Sequence, residues 1–72
     1  MDFFERLLQI RTNKKLLQKD ISAAINISVR QYQRYEKNEQ EPTLSVLIAL
    51  AKYFNVSLDY LAGLSDTQTR QP

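Results

Sequence analysis

Apolar residues recur every three or four positions along most of the chain, the spacing that places them on one face of an α-helix. Phe3, Leu7 and Ile10 form the first such stripe, which should be buried. A broader apolar stripe is expected on a later helix: Leu44, Leu47, Leu50, Ala51 and Phe54. The chain has one glycine and no long β-branched run. This pattern predicts an all-α fold.

Capping and turn residues divide the pattern into five predicted helices, at about residues 2–13, 17–24, 28–37, 44–54 and 58–62. Ser, Thr or Asp before an apolar segment accepts hydrogen bonds from the first free N–H groups of a helix. Asn or Gly after it tolerates the left-handed conformation that ends a helix. The predicted N-caps are Asp2, Ser28, Thr43 and Ser57, and the predicted helix ends are Asn26, Asn38 and Gly63. Ser28 and Gln31 also have the spacing of a capping box.

The length of 72 residues predicts one domain, near the lower size limit for a core that folds unaided. We expect that domain to cover residues 1–63. The polar segment 64–72 is predicted to be a flexible tail, or a linker to a further domain.

Cysteine and histidine are both absent. Disulfides and thiolate metal sites are therefore excluded, and the commonest general base is missing. Asp20 and Glu36 are isolated acids, better explained by capping or ion pairing. With no glycine-rich phosphate loop, we expect no enzyme, no cofactor and no metal. No long apolar run and no signal peptide are visible, so a cytoplasmic protein is expected.

The net charge of +2 says little, but its distribution is uneven. Residues 6–37 carry eight Lys or Arg against two acidic residues, whereas both flanking segments are net acidic. A cationic middle suggests a surface for a polyanionic partner. A solvated, lysine-rich surface would give the same pattern, and charge alone does not separate the two.

The third predicted helix, residues 28–37, has two different faces on a helical wheel. Tyr32 and Tyr35 fall on one side, and the opposite side carries Arg30, Gln33, Arg34 and Lys37. Such a helix suits the major groove, where Arg pairs with guanine and Gln with adenine. Ordinary surface helices also have polar outer faces. The preceding short helix and the turn "NIS" complete a helix-turn-helix over residues 17–37, which favours the nucleic-acid interpretation.

The segment "LLQKDISAAINISVRQYQRYEKNEQEPTLSVLIALAKYFNVSLDYLAG" resembles the Cro/C1-type helix-turn-helix family, the XRE-like phage and bacterial repressors. The resemblance covers about residues 3–64. It depends on the order and spacing of several weak signals: Gln18, Ser28, Glu36, Pro42 and "VSLDYL" at 56–61. Two positions depart from the family pattern, because Asn26 replaces the usual glycine and Ser22 the usual alanine.

The resemblance implies a compact five-helix, lambda-repressor-like domain that binds double-stranded DNA in a sequence-specific way. It implies a transcriptional regulator, expected to be a repressor, that reads a near-palindromic operator as a homodimer with its third helix in the major groove. The implied base-reading residues are Val29, Arg30, Gln33 and Arg34. The implied phosphate contacts are Gln18, Lys37, Asn38, Gln40 and Thr43. Arg11 and Glu36 are implied to form a structural ion pair.

Two matters stay open in the sequence. An antitoxin or a protein-interaction module of the same fold would share these signals. A dimer interface is also hard to locate: the candidates are Tyr53, Asn55, Val56, Leu58 and Tyr60, together with a second apolar stripe of Phe4 and Leu8 on the first helix. That stripe would equally serve to cover the edge of the core.

Overall fold

The structure is a computed structural model in which residues 1–68 are described. Within those residues the chain forms five α-helices and no strand: α1 (Phe3–Asn13), α2 (Gln18–Ala24), α3 (Val29–Glu36), α4 (Leu44–Phe54) and α5 (Leu58–Ala62). The predicted all-α fold is confirmed. Each predicted helix is present, with bounds within one residue of those expected.

Side-chain caps begin three of the helices where the sequence predicts them. The hydroxyl oxygens of Ser28, Thr43 and Ser57 accept hydrogen bonds from backbone N–H groups three residues later, at 3.0, 3.2 and 3.0 Å. The Gln31 side chain does not complete a capping box at Ser28. It donates instead to the Tyr35 hydroxyl at 2.8 Å.

Left-handed residues end the helices, as predicted. Asn26 and Asn38 have φ angles of 62° and 58°, and Gly63 has φ 85°. Asn26 therefore adopts the conformation for which glycine is the usual choice. At Gly63 glycine has a second reason, because a Cβ there would lie 1.8 Å from the carbonyl oxygen of Met1.

The core lies between the five helices and receives residues from each. Its fully buried members include Leu7 on α1, Ile21 on α2, Leu50 on α4 and Leu61 on α5. Two predicted positions are corrected. Leu44, the first residue of α4, is 65% exposed because it lies at the loop end of that helix, outside the core. Phe3 is only partly buried.

The burial of Val56 and Tyr60 contradicts their assignment as interface candidates. Both belong to the hydrophobic core, where they pack with residues of the other helices. They are therefore unavailable for direct contact with another protein. Tyr53, Asn55 and Leu58 are exposed.

Arg6 is buried, with 3% of its surface exposed, so it does not contribute to a cationic surface. Its guanidinium lies 3.8 Å from the ring centroid of Tyr60, and its Nε donates to the sulfur of Met1 at 3.2 Å. An ion pair to the exposed Asp66 is long, at 3.5 Å. Stacking on an aromatic face gives a buried guanidinium a favourable partner.

Contacts near the end of the described region join the tail to the domain. The backbone N–H of Ser57 donates to the carbonyl of Gln68 at 3.1 Å. The flexible tail at 64–72 stays a prediction, and its residues 69–72 lie outside the described part of the chain. None of the helices in residues 1–68 has the length and apolar character needed to cross a membrane.

Candidate nucleic-acid interface

The two faces of α3 are separated as the helical wheel predicts. Tyr32 and Tyr35 are buried, with 0% and 1% of their surface exposed. Arg30, Arg34 and Lys37 are exposed on the outer side. Because the tyrosines anchor the helix in the core, the cationic side chains must project into solvent. α3 contacts α2 and α1, which hold it from behind.

A buried carboxylate, that of Glu36, fixes α3 to the other two helices of this half of the domain. It accepts hydrogen bonds from Arg11 on α1 at 2.6 and 3.1 Å, and from Gln18 on α2 at 3.0 Å. The hydroxyl of Tyr32, one turn earlier on α3, donates to it at 2.5 Å. We call these residues the Glu36 cluster: Arg11, Gln18, Tyr32 and Glu36. The cluster joins three helices through one side chain that is 7% exposed.

The environment of the Glu36 cluster favours the charged carboxylate. Burial by itself would raise the pKa of Glu36, but the hydrogen bonds from Arg11, Tyr32 and Gln18 outweigh it and lower the pKa. The hydrogen bond to Glu36 raises the pKa of Arg11. Burial, and then the bond to Glu36, raises the pKa of Tyr32. Glu36 is therefore ionised and acts only as an acceptor at neutral pH.

Gln18 and Gln33 continue this network towards the outer face of α3. The Nε2 of Gln33 donates to the Oε1 of Gln18 at 3.0 Å, while the Nε2 of Gln18 donates to Glu36. Gln33 is consequently half-buried, unlike Arg30 and Arg34. Gln18 uses both ends of its amide inside the domain and retains one further N–H.

The remaining predicted site residues lie at the ends of α3 and in the loop that follows it, and two of them, Asn38 and Gln40, line a different hollow from Arg30 and Arg34. Val29, Lys37, Asn38, Gln40 and Thr43 are all exposed, at the start of α3 and in the loop before α4. Thr43 has a structural role as well, since its hydroxyl caps α4. A shallow concave surface brings together three polar side chains of α3 with two charged residues that follow the helix: Arg30, Gln33, Arg34, Lys37 and Glu39.

Two features of this surface escape prediction from the sequence. Glu39 adds a negative charge beside the cationic side chains. The two glutamates of the segment "NEQEP" could have indicated this from the sequence. The hydrogen bond between Gln18 and Gln33 joins residues 15 apart in the chain, so no local sequence pattern predicts it. Ser22, which replaces the family's usual alanine, is buried on α2, and its hydroxyl donates to the carbonyl of Lys19 at 3.2 Å.

Comparison with known proteins places the chain in a family. The family model HTH_3, Helix-turn-helix, matches residues 7–61. The uncharacterized HTH-type transcriptional regulator YobD of Bacillus subtilis (strain 168) is 36% identical over 64 residues, which are 89% of this chain and 57% of that protein. The cryptic phage CTXphi transcriptional repressor RstR of Vibrio cholerae is 29% identical over 90% of this chain and 59% of its own length. This chain thus spans little more than half the length of these two relatives.

Solved structures agree with this assignment. The solution structure of the DNA-binding domain of the P22 C2 repressor, residues 1–76, superposes with a TM-score of 0.82 at 32% identity. The match covers 93% of this chain and 91% of that domain. A crystal structure of a transcriptional regulator from Listeria innocua gives the same TM-score and identity, over 86% of this chain and 58% of the other. The five-helix fold and the matched segment agree, and the chain belongs to the Cro/C1-type helix-turn-helix family.

Proposed function

We propose that this domain binds double-stranded DNA in a sequence-specific way and serves a transcriptional regulator, with α3 in the major groove. The observation that carries the proposal is the geometry of α3, whose tyrosines are buried while Arg30, Arg34 and Lys37 project outwards. A major groove about 12 Å wide admits one such helix. The relatives are named as transcriptional regulators, and the P22 C2 domain as DNA-binding, which supports the proposal.

The proposed roles follow the chemistry of each exposed group. Arg30 and Arg34 donate to guanine, Gln33 reads a base edge, and Val29 contacts a thymine methyl group. The phosphate contacts come from the flanking polar residues: Gln18, Lys37, Asn38, Gln40 and Thr43. Phosphate contacts position the protein, and base contacts specify the sequence. Arg11 and Glu36 serve as scaffold, since their charges satisfy each other inside the domain.

We further propose that the regulator is a cytoplasmic repressor and acts as a homodimer on a near-palindromic operator. One α3 reads one half-site, so two half-sites about 34 Å apart require two copies of the domain. Tyr53, Asn55 and Leu58 remain as interface candidates because they are exposed on the α4–α5 side. The stripe on α1 also remains a candidate, since Leu8 is exposed and Phe4 is half-buried. RstR and P22 C2 are both named repressors, which supports this direction of regulation.

Selection of bound sequences from a random DNA pool, at a fixed salt concentration, tests the proposal. We expect enrichment of a motif with two-fold symmetry. The variant Arg30→Ala/Arg34→Ala should lose this enrichment. The matched variant Lys14→Ala removes an exposed cation beside Val56 and Tyr60, away from α3, and should retain it. If no sequence is enriched by the folded wild-type domain, the DNA-binding proposal fails and the protein-interaction alternative is favoured.

A further inference from the structure

Three side chains form a continuous hydrogen-bonded row from the carboxylate of Glu36, whose side chain is 7% exposed, to the proposed DNA-binding face. Glu36 accepts from the Nε2 of Gln18 at 3.0 Å, and the Oε1 of Gln18 accepts from the Nε2 of Gln33 at 3.0 Å. Glu36 is anchored at the inner end of the row, and Gln33 lies at the outer end, on the concave surface that also holds Arg30 and Arg34.

The direction of every hydrogen bond in this row is fixed from the inside. An ionised carboxylate only accepts, and the other groups on Glu36, those of Arg11 and Tyr32, donate to it. Gln18 must therefore turn its NH2 group to Glu36, which leaves its carbonyl oxygen for Gln33. Gln33 must in turn offer its NH2 group to that oxygen. If either amide were reversed, two acceptors or two donors would face each other at hydrogen-bonding distance.

We propose that Glu36, acting through Gln18, fixes the amide orientation of Gln33 so that its carbonyl oxygen is the group presented to DNA. Among the described residues nothing donates to this oxygen. The second N–H of the Gln33 amide also stays free, but the presented oxygen would be repelled by the keto oxygen of guanine or thymine. The amide therefore favours a base with an amino group in the major groove, which means adenine or cytosine. Gln18 is thus a positioning residue for base recognition. The inference rests on the proposed DNA-binding function and deepens it.

The free protein provides a test that does not involve DNA. In the side-chain amide NMR spectrum, one N–H of Gln33 should exchange more slowly than the N–H groups of Gln9, which is exposed on α1. In Gln18→Met this protection should be lost, so that Gln33 exchanges as fast as Gln9. Equal exchange of Gln33 and Gln9 in the wild-type protein would overturn the inference, whatever the protein binds.

DNA selection tests the consequence for specificity. In wild-type selections one position of each half-site should favour adenine or cytosine, by about 5- to 100-fold over the keto bases. Gln33→Met identifies that position by abolishing its preference. Gln18→Met should weaken the preference at the same position only, since the freed Gln33 can then present either end of its amide. Gln9→Met is the matched control and should change nothing.

A further variant keeps the test informative if Gln18→Met does not fold. Gln33→Glu offers only acceptors, so it should retain an amino-bearing base at this position while losing overall affinity through repulsion from phosphates. A switch at this position, from guanine or thymine in the wild type to an amino-bearing base in Gln33→Glu, would show that wild-type Gln33 presents its NH2 group, and the inference would be wrong. An unchanged base preference in folded Gln18→Met would also overturn it. Absence of any enrichment by the wild-type domain would instead reject the proposed function.

Discussion

Arginine side chains lie on both the inner and the outer side of α3, but they differ in their exposure and in their ion-pair partners. On the inner side, Arg11 and Glu36 satisfy each other in an ion pair whose side chains are only 19% and 7% exposed. On the outer side, Arg30 and Arg34 are exposed, and neither forms an ion pair with any residue of the described chain. Charges that are paired and buried stabilise one arrangement of helices, whereas exposed and unpaired cations stay available to a polyanion. The comparison shows that an arginine's role, structural or DNA-binding, depends more on its burial and its ion-pair partner than on its residue type.

Removing the inner carboxylate should have the largest effect. Glu36→Ala leaves the guanidinium of Arg11 and the buried hydroxyl of Tyr32 without their acceptor, and should cost about 3 kcal/mol of the free energy of unfolding. That is a large part of the stability expected for so small a domain. Urea denaturation followed by circular dichroism measures it. Glu39→Ala is the matched control, because Glu39 is exposed. Equal stability of the two variants would break the distinction between the two sides of α3.

Removing an outer arginine should affect DNA binding and leave the fold unchanged. Arg34→Ala should weaken binding to the selected operator by about 1–3 kcal/mol and relax preference at one base pair. Its free energy of unfolding should stay within about 0.5 kcal/mol of wild type, as is usual for exposed positions. Fluorescence anisotropy with operator and scrambled DNA measures the first effect. A uniform loss on all sequences would make Arg34 a phosphate contact.

Acid should act on the inner side through Glu36. A carboxyl group whose pKa falls on folding adds stability above its unfolded pKa, and this contribution is lost as the pH falls through the folded pKa. Because the pKa of Glu36 lies below the ordinary 4.5, wild-type stability should decline as the pH falls below about that value. The decline should be shallower in Glu36→Gln, which has no carboxyl to protonate. Urea denaturation over a pH series measures both, and parallel curves would remove Glu36 as the cause.

Capping residues and helical spacing predicted the bounds of the helices and showed which side of α3 is apolar. The caps at Ser28, Thr43 and Ser57 depend on neighbours three residues away, so helix bounds could be read closely. Helical spacing also shows which side of α3 is apolar. It does not show which groups from other helices meet that side. The bond between Gln18 and Gln33 therefore required the structure.

The same limit explains the residues that the sequence misplaced. Arg6 looked like part of a cationic surface, but Tyr60 of α5 packs beneath its guanidinium. Val56 and Tyr60 looked available to a partner, although they lie in the core. Lys15 adopts a left-handed φ of 57° that no turn residue signals. Each error concerns packing or backbone geometry between helices, which spacing along one helix does not encode.

The smallest predicted effect concerns the edge of the outer side. Lys37 follows α3 directly and is exposed beside the concave surface with Arg34 and Glu39. Because a phosphate contact releases counterions, Lys37→Ala should reduce the slope of log affinity against log salt by about one unit, with base preference unchanged. Lys14→Ala removes an equal charge outside the concave surface, beside Val56 and Tyr60, and should leave the slope as it is. A changed base preference in Lys37→Ala would mean that this lysine contacts a base. Base contacts would then extend beyond the end of α3, into the residues assigned to phosphate contacts.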